Sequence, residues 1–121
     1  MKSIQIEKFG GPEVLVINDI DIGKPGPKEV LIKNKSIGLN FIDVYHRTGL
    51  YPIPLPSGIG HEASGVIEEI GSEVKLFKVG DRVTHASMPI GAYSEKQIMP
   101  EEKLISVPDG ISDEVASCIT L

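Results

Sequence analysis

The order of apolar and polar positions predicts short strands separated by sharp turns. Residues 2–9 alternate with period two, Gly10-Gly11-Pro12 turns the chain, and residues 14–20 form a second strand. Pro25 and Pro27 frame a loop that cannot supply ladder hydrogen bonds. The longest alternation spans 29–39, with Val30, Ile32, Asn34, Ser36 and Gly38 on one face and Leu31 on the other. The period then changes. Phe41, Val44 and Tyr45 are spaced for a short helix over 41–48, which Asn40 can cap and Gly49 can end in a left-handed conformation. The proline-rich stretch 51–57 is expected as an extended surface loop. Strands resume over 63–70, 79–85, 91–99 and 103–107, and Ser112 caps a final helix predicted to run from 113 to Leu121. That last pattern meets neither a glycine nor a polar tail, so it reads as a helix cut short.

Length and composition narrow this picture. A chain of 121 residues, 40% hydrophobic and 24% charged, is one globular domain, and its spacing of turns suits a mainly β fold with short helices. The net charge of −5 repels nucleic acids and anionic membranes. The single cysteine, Cys118, allows neither an internal disulfide nor an all-cysteine zinc site, and its apolar helical setting suggests packing. The first residues alternate without a long apolar run, which predicts no signal peptide, no membrane span and a cytoplasmic location.

The densest chemical constellation is Gly58-Ile-Gly60-His61-Glu62, continuing to Gly65, Gly71 and Val79-Gly80-Asp81-Arg82-Val83. Gly58 and Gly60 fit a relaxed dinucleotide fingerprint, but that device needs a strand before the glycines and a helix after them. Here a proline-rich loop precedes and a strand pattern follows. His61 and Glu62 could instead contribute to a metal site, or could simply hydrogen-bond and brace a loop; the pair alone leaves both open.

Taken together, Gly60-His61-Glu62-x-x-Gly65, Gly71-x-x-Val74 and Val79–Val83 resemble the zinc-alcohol-dehydrogenase pattern of the medium-chain dehydrogenase/reductase superfamily. Phe9-Gly-Gly-Pro-Glu-Val-Leu15, Gly38-Leu-Asn-Phe-Ile-Asp43-x-Tyr-x-Arg47-x-Gly-Leu-Tyr51-Pro52 and Gly91-Ala-Tyr93-Ser94-Glu95 resemble its quinone oxidoreductase, or zeta-crystallin-like, branch. The resemblance covers residues 1–121 and implies a GroES-like, partly closed β-barrel that is the catalytic domain of an NADPH:quinone oxidoreductase. It implies catalytic roles for Asn40, Asp43 and Tyr51, and cofactor contacts from Asn40, Tyr45, Arg47 and His61. Zinc-dependent relatives carry a cysteine where this chain has Asn40, together with a four-cysteine lobe, so no zinc is expected. The family's nucleotide-binding glycines belong to a Rossmann domain, which these residues do not include. NADPH binding and quinone reduction by this chain alone are therefore expected to be weak or absent.

Each residue also has a plainer role available. Asn40 suits a helix cap, Asp43 and Arg47 suit a surface ion pair, and Tyr45 suits the core. At the level of the whole chain, the alternatives are a zinc-type alcohol dehydrogenase half and a standalone GroES-like interaction module. The expected partners are a quinone or similar electrophile, a separately encoded Rossmann half, and a second copy of the chain.

Overall fold

In the computed structural model, which describes residues 1–121, eight strands alternate with two short helices. The strands are β1 (Lys2–Ile6), β2 (Val16–Asp19), β3 (Glu29–Gly38), β4 (Ser57–Gly58), β5 (Glu62–Ile70), β6 (Arg82–Ala86), β7 (Lys96–Pro100) and β8 (Ile105–Ser106). Helix α1 spans Phe41–Thr48 and α2 spans Asp113–Ala116. All pairings are antiparallel. They build a five-stranded sheet in the order β7-β3-β5-β6-β8 and a three-stranded sheet in the order β2-β1-β4. The sheets meet at a seam where Ser3 bridges Ser94, the Ile4 N–H donates to the Tyr93 carbonyl and the Glu95 N–H donates to the Lys2 carbonyl. The mainly β architecture follows the expected pattern.

Two apolar clusters hold the sheets. Val30, Ile32, Ile67, Val83, Met99 and Leu104 pack beneath the larger sheet, and Ile6, Val14 and Ile59 pack beneath the smaller one. Val30 and Ile32 face the core as the alternation predicts, yet Leu31 between them is buried too. The pairing of β3 with β5 shifts register between Leu31 and Ile32, and a sheet covered on both faces gives no outward position there. Asn34, on the same alternation, spends its amide on the Ala92 and Ser94 carbonyls at the seam.

Several elements differ from the sequence reading. The end of the proline-rich loop forms β4, which pairs Ser57 and Gly58 with Ile6 and Gln5. The strands expected from 79 and 91 begin later, at Arg82 and Lys96. Asp81 first closes a turn on the Lys78 N–H, and the 91–95 segment bonds to Gly60, Ile59 and Lys2 across the seam. Helix α2 ends at Ala116 instead of continuing to Leu121. In a continuing helix the Thr120 N–H would donate to the Ala116 carbonyl. That carbonyl instead accepts from the Thr84 hydroxyl at 2.7 Å, and the Thr120 N–H goes to Glu62 at 2.9 Å. No helix is long and apolar enough to cross a membrane.

Candidate active site

The site is assembled where β3 turns into α1 and where the strand-end motif Gly60-His61-Glu62 enters β5. Asn40 has the extended backbone of an N-cap, and Gly49 ends α1 with φ +86°, as expected. The Asn40 side chain does more than cap. Its Nδ2 donates to the Glu62 carboxylate at 2.9 Å. The other Glu62 oxygen accepts from the Thr120 N–H, the Thr120 hydroxyl and the Leu121 N–H, at 2.9, 2.8 and 3.2 Å. Burial by itself would push this carboxyl upward, but the bonds from Asn40, Thr120 and Leu121 outweigh it and hold Glu62 below the usual carboxylate range. Glu62 is thus a charged clasp joining the α1 corner, β5 and the last residues.

Asp43 is buried and does not pair with Arg47. Its Oδ2 accepts from the Asn40 N–H at 3.1 Å and from the Tyr93 hydroxyl at 2.6 Å, while its Oδ1 has no partner. Burial, together with the carboxylate beside it, pushes the Tyr93 phenol upward, so it remains a donor. Arg47 instead points its Nε at the Gly10 carbonyl, 3.2 Å away, and the Gly10 N–H returns a bond to the Arg47 carbonyl. The surface ion pair that their spacing left open as the plainer alternative is not formed, and two anchors hold α1 to its neighbours instead.

The exposed side of α1 and the loop after it carry an aromatic series. Phe41 and Tyr45 lie 6.1 Å apart between centroids, and Tyr45 meets Tyr51 edge-on at 5.2 Å. Tyr45 is half-buried, and Phe41 and Tyr51 remain 76% and 51% exposed, so the series is an open face and not a core. His46 continues it, 6.4 Å from Tyr51 and 6.3 Å from His61. A cavity of about 360 Å³ opens beside this face, between Leu39, Asn40, Phe41, Arg47 and Tyr93. A larger apolar groove of about 580 Å³ crosses the seam, and its lining includes none of the site residues expected from sequence.

All three histidines of the chain gather here. Burial lowers His46, the neighbouring His61 adds to that, and Asp43 opposes it. His85 on β6 is pushed down to about 4, chiefly by burial and further by His61, against Gln97 and Glu62. No group of three or more His, Cys, Asp or Glu side chains is arranged to hold a metal ion. The glycines 58 and 60 lead into a strand and not a helix, so the dinucleotide geometry is not formed there. Gly60 is needed for a different reason: at φ +107° a Cβ would press on the backbone N and ring of Tyr93.

The structure links Tyr45, Tyr51 and His61 through ring neighbours by way of His46, sets Asn40, Asp43 and Arg47 beside the smaller cavity, and ties Asp43 to Tyr93 and Arg47 to Gly10. Sequence reasoning passed over His46, Tyr93 and the clasp role of Glu62. The spacing of Asp43 and His46, one helical turn apart, was the available signal for His46. Tyr93 lay within the Gly91-Ala-Tyr93 motif but its partner is fifty residues away.

An antiparallel two-sheet domain with an aromatic, polar-rooted cleft at the β3–α1 corner defines a class. The chain belongs to the alcohol dehydrogenase GroES-like domain family, whose model matches residues 26–109. Within that class its relatives include quinone oxidoreductases. It is 55% identical over 121 residues to the Pseudomonas aeruginosa quinone oxidoreductase, covering 99% of this chain and 37% of that protein. It is 46% identical to quinone oxidoreductase 1 of Escherichia coli, covering 94% and 35%. Among solved structures, the Pseudomonas syringae quinone oxidoreductase superimposes with a TM-score of 0.96 at 52% identity, covering 98% of this chain and 37% of that one. The Escherichia coli quinone oxidoreductase complexed with NADPH gives 0.94 at 45% identity, covering 97% and 36%. The chain is thus homologous to the catalytic domain of these proteins and spans little more than a third of their length.

Proposed function

We propose that these residues form the catalytic-domain wall of a zinc-independent, NADPH-dependent quinone oxidoreductase. The observation that carries this reading is the open aromatic face of Phe41, Tyr45 and Tyr51 with Asn40 at its root. Flat faces of this kind suit a planar acceptor and a planar nicotinamide. Asn40, Asp43 and Tyr51 are assigned to the reacting end, and Asn40, Tyr45, Arg47 and His61 to the cofactor side. Asp43 acts there by holding Tyr93 and the start of α1 in place. The half-exposed tyrosines fit an incoming planar ring. When bound, NADPH supplies the hydride; this chain's residues orient the acceptor and keep water away. Glu62 already spends both oxygens on hydrogen bonds and Asn40 donates to it, which argues for a polar clasp and against a zinc shell at this motif.

The nucleotide's pyrophosphate is assigned to a Rossmann unit outside these residues, as part of the same polypeptide or as a separate partner. Joining residues 1–121 to the remainder of the Pseudomonas aeruginosa relative is expected to yield NADPH-dependent reduction of 1,4-benzoquinone. Tyr51→Ala in that fusion should lower kcat/KM by about 10-fold or more, equivalent to about 1.4 kcal/mol of lost transition-state binding. The 121-residue chain alone should consume no NADPH. Turnover by the chain alone, or an inactive but folded fusion, would refute the reading.

A further inference from the structure

We infer that Glu62 is a positioning residue for the cofactor: it fixes which end of the Asn40 amide is left for a ligand in the cavity beside α1. The inference rests on the reading of Asn40 as a cofactor contact and adds what holds that contact in place.

An asparagine amide has two ends of nearly equal size, one donating and one accepting. A half-turn about its last bond therefore reverses what it offers a ligand. In this chain Glu62 makes the choice. An ionised carboxylate only accepts, so the amino end of Asn40 must face it, and Nδ2 does so at 2.9 Å. The carbonyl end then takes its part in the capping box of α1, where it faces the Asp43 N–H and keeps a second lone pair. Asn40 is half-buried and lines the cavity of about 360 Å³ together with Phe41, Asp43, Arg47 and Tyr93.

Glu62 has no freedom to turn. It is buried, and its other oxygen collects the bonds from Thr120 and Leu121. Its register partner on β3 is Gly38, where a Cβ would press on Glu62 Oε1 and on the Ser117 carbonyl. The other polar groups of the cavity wall do not compete for Nδ2. Asp43 accepts from the Asn40 backbone N–H and the Tyr93 hydroxyl, and Arg47 has only donors.

An oriented carbonyl selects among ligands. A quinone offers only acceptors, whereas the carboxamide of a reduced nicotinamide also offers an N–H. Asn40 held in this sense therefore serves the cofactor and not the quinone. Glu62→Gln keeps the size of the side chain but supplies a single oxygen. Three donors converge at Oε2, so that oxygen is drawn to them and the new amino group turns toward Asn40 Nδ2. Two amino groups then oppose each other, and Asn40 loses its fixed sense.

The test measures equilibrium binding to the fusion described above by calorimetry, without acceptor. The ligands are NADPH and its reduced acetylpyridine analogue, in which a methyl group replaces the carboxamide amino group. The parent fusion should prefer NADPH. Glu62→Gln should weaken NADPH binding by about 10-fold and analogue binding by no more than about twofold. In steady-state assays KM for NADPH should rise while KM for 1,4-benzoquinone stays nearly constant. In an Asn40→Ala background the same substitution should add no further loss of NADPH affinity. Equal weakening of both ligands, additive losses, unchanged NADPH binding or a parent without preference would each overturn the role. Should Glu62→Gln not fold, Glu62→Asp decides with the same two ligands, since it keeps the charge for Thr120 and Leu121 but falls short of Asn40. A parent fusion that binds neither NADPH nor its analogue overturns the underlying reading together with this inference. One that binds NADPH and is indifferent to the Glu62 variants removes only the positioning role.

Discussion

Among single residues, Glu62 carries the most concentrated interaction. It is 1% exposed and is ionised, with four donors reaching it from two distant segments. Removing the carboxylate leaves those donors buried and unmatched, so Glu62→Ala should cost about 3 kcal/mol or more, measured by urea unfolding. Because its folded pKa lies below the unfolded value, the stability it contributes is present above the unfolded carboxylate range and is lost as pH falls through the folded one. Glu62→Gln should therefore flatten the acid limb of the stability curve. His85 acts over a different window. Its folded pKa of about 4 means that the unfolded chain takes up a proton first as pH drops. Stability should decline from about pH 6.5, the ordinary histidine value, toward pH 4, by at most about 3 kcal/mol. His85→Phe keeps a ring in the same space and should make the urea midpoints at pH 7 and pH 5 more nearly equal than in the parent chain.

At the scale of elements, α1 is a short helix held from outside. Eight residues are too few to be stable alone. Its first turn is tied through Asp43 to Tyr93, and its last through Arg47 to Gly10. Tyr93→Phe removes the only side-chain donor to Asp43 and should destabilise the fold by about 1–3 kcal/mol. Hydrogen exchange should then report faster opening of the α1 amides than of β3 and β5. A uniform increase across all elements would show that Tyr93 supports the whole seam and not the helix. The helix itself was legible, since Asn40, the apolar spacing and Gly49 all agree locally. Its attachments were not, because Tyr93 and Gly10 are distant in sequence and any polar residue near them would satisfy the local pattern equally well.

At the scale of the molecule, the cleft face remains open. Leu39, Phe41, Leu50 and Tyr51 expose 81%, 76%, 64% and 51% of their surface on or beside α1, a concentration of apolar area that calls for a cover. The 121-residue chain should therefore self-associate in sedimentation at high concentration, and fusion to a Rossmann unit should suppress that. A monomer across the concentration range would count against this view of the face. The seam between the sheets has the same global character. It depends on the contact of β1 with the 93–95 segment, which no local pattern announces.

By itself, the sequence determined the strand-rich class, the α1 helix with its cap and stop, and the motifs that mark the family. These depend on periodicity, on proline and glycine conformations and on residue spacing, all of which are local. Tertiary structure alone decided that α2 stops at Ala116, that Asp43 binds Tyr93 instead of Arg47, and that Glu62 gathers Asn40, Thr120 and Leu121. It also brought three histidines from positions 46, 61 and 85 into one neighbourhood. The physical reason is shared: a buried polar atom takes whichever partner the packing delivers, and that partner is set by how β3, β5 and β6 pair across the sheet.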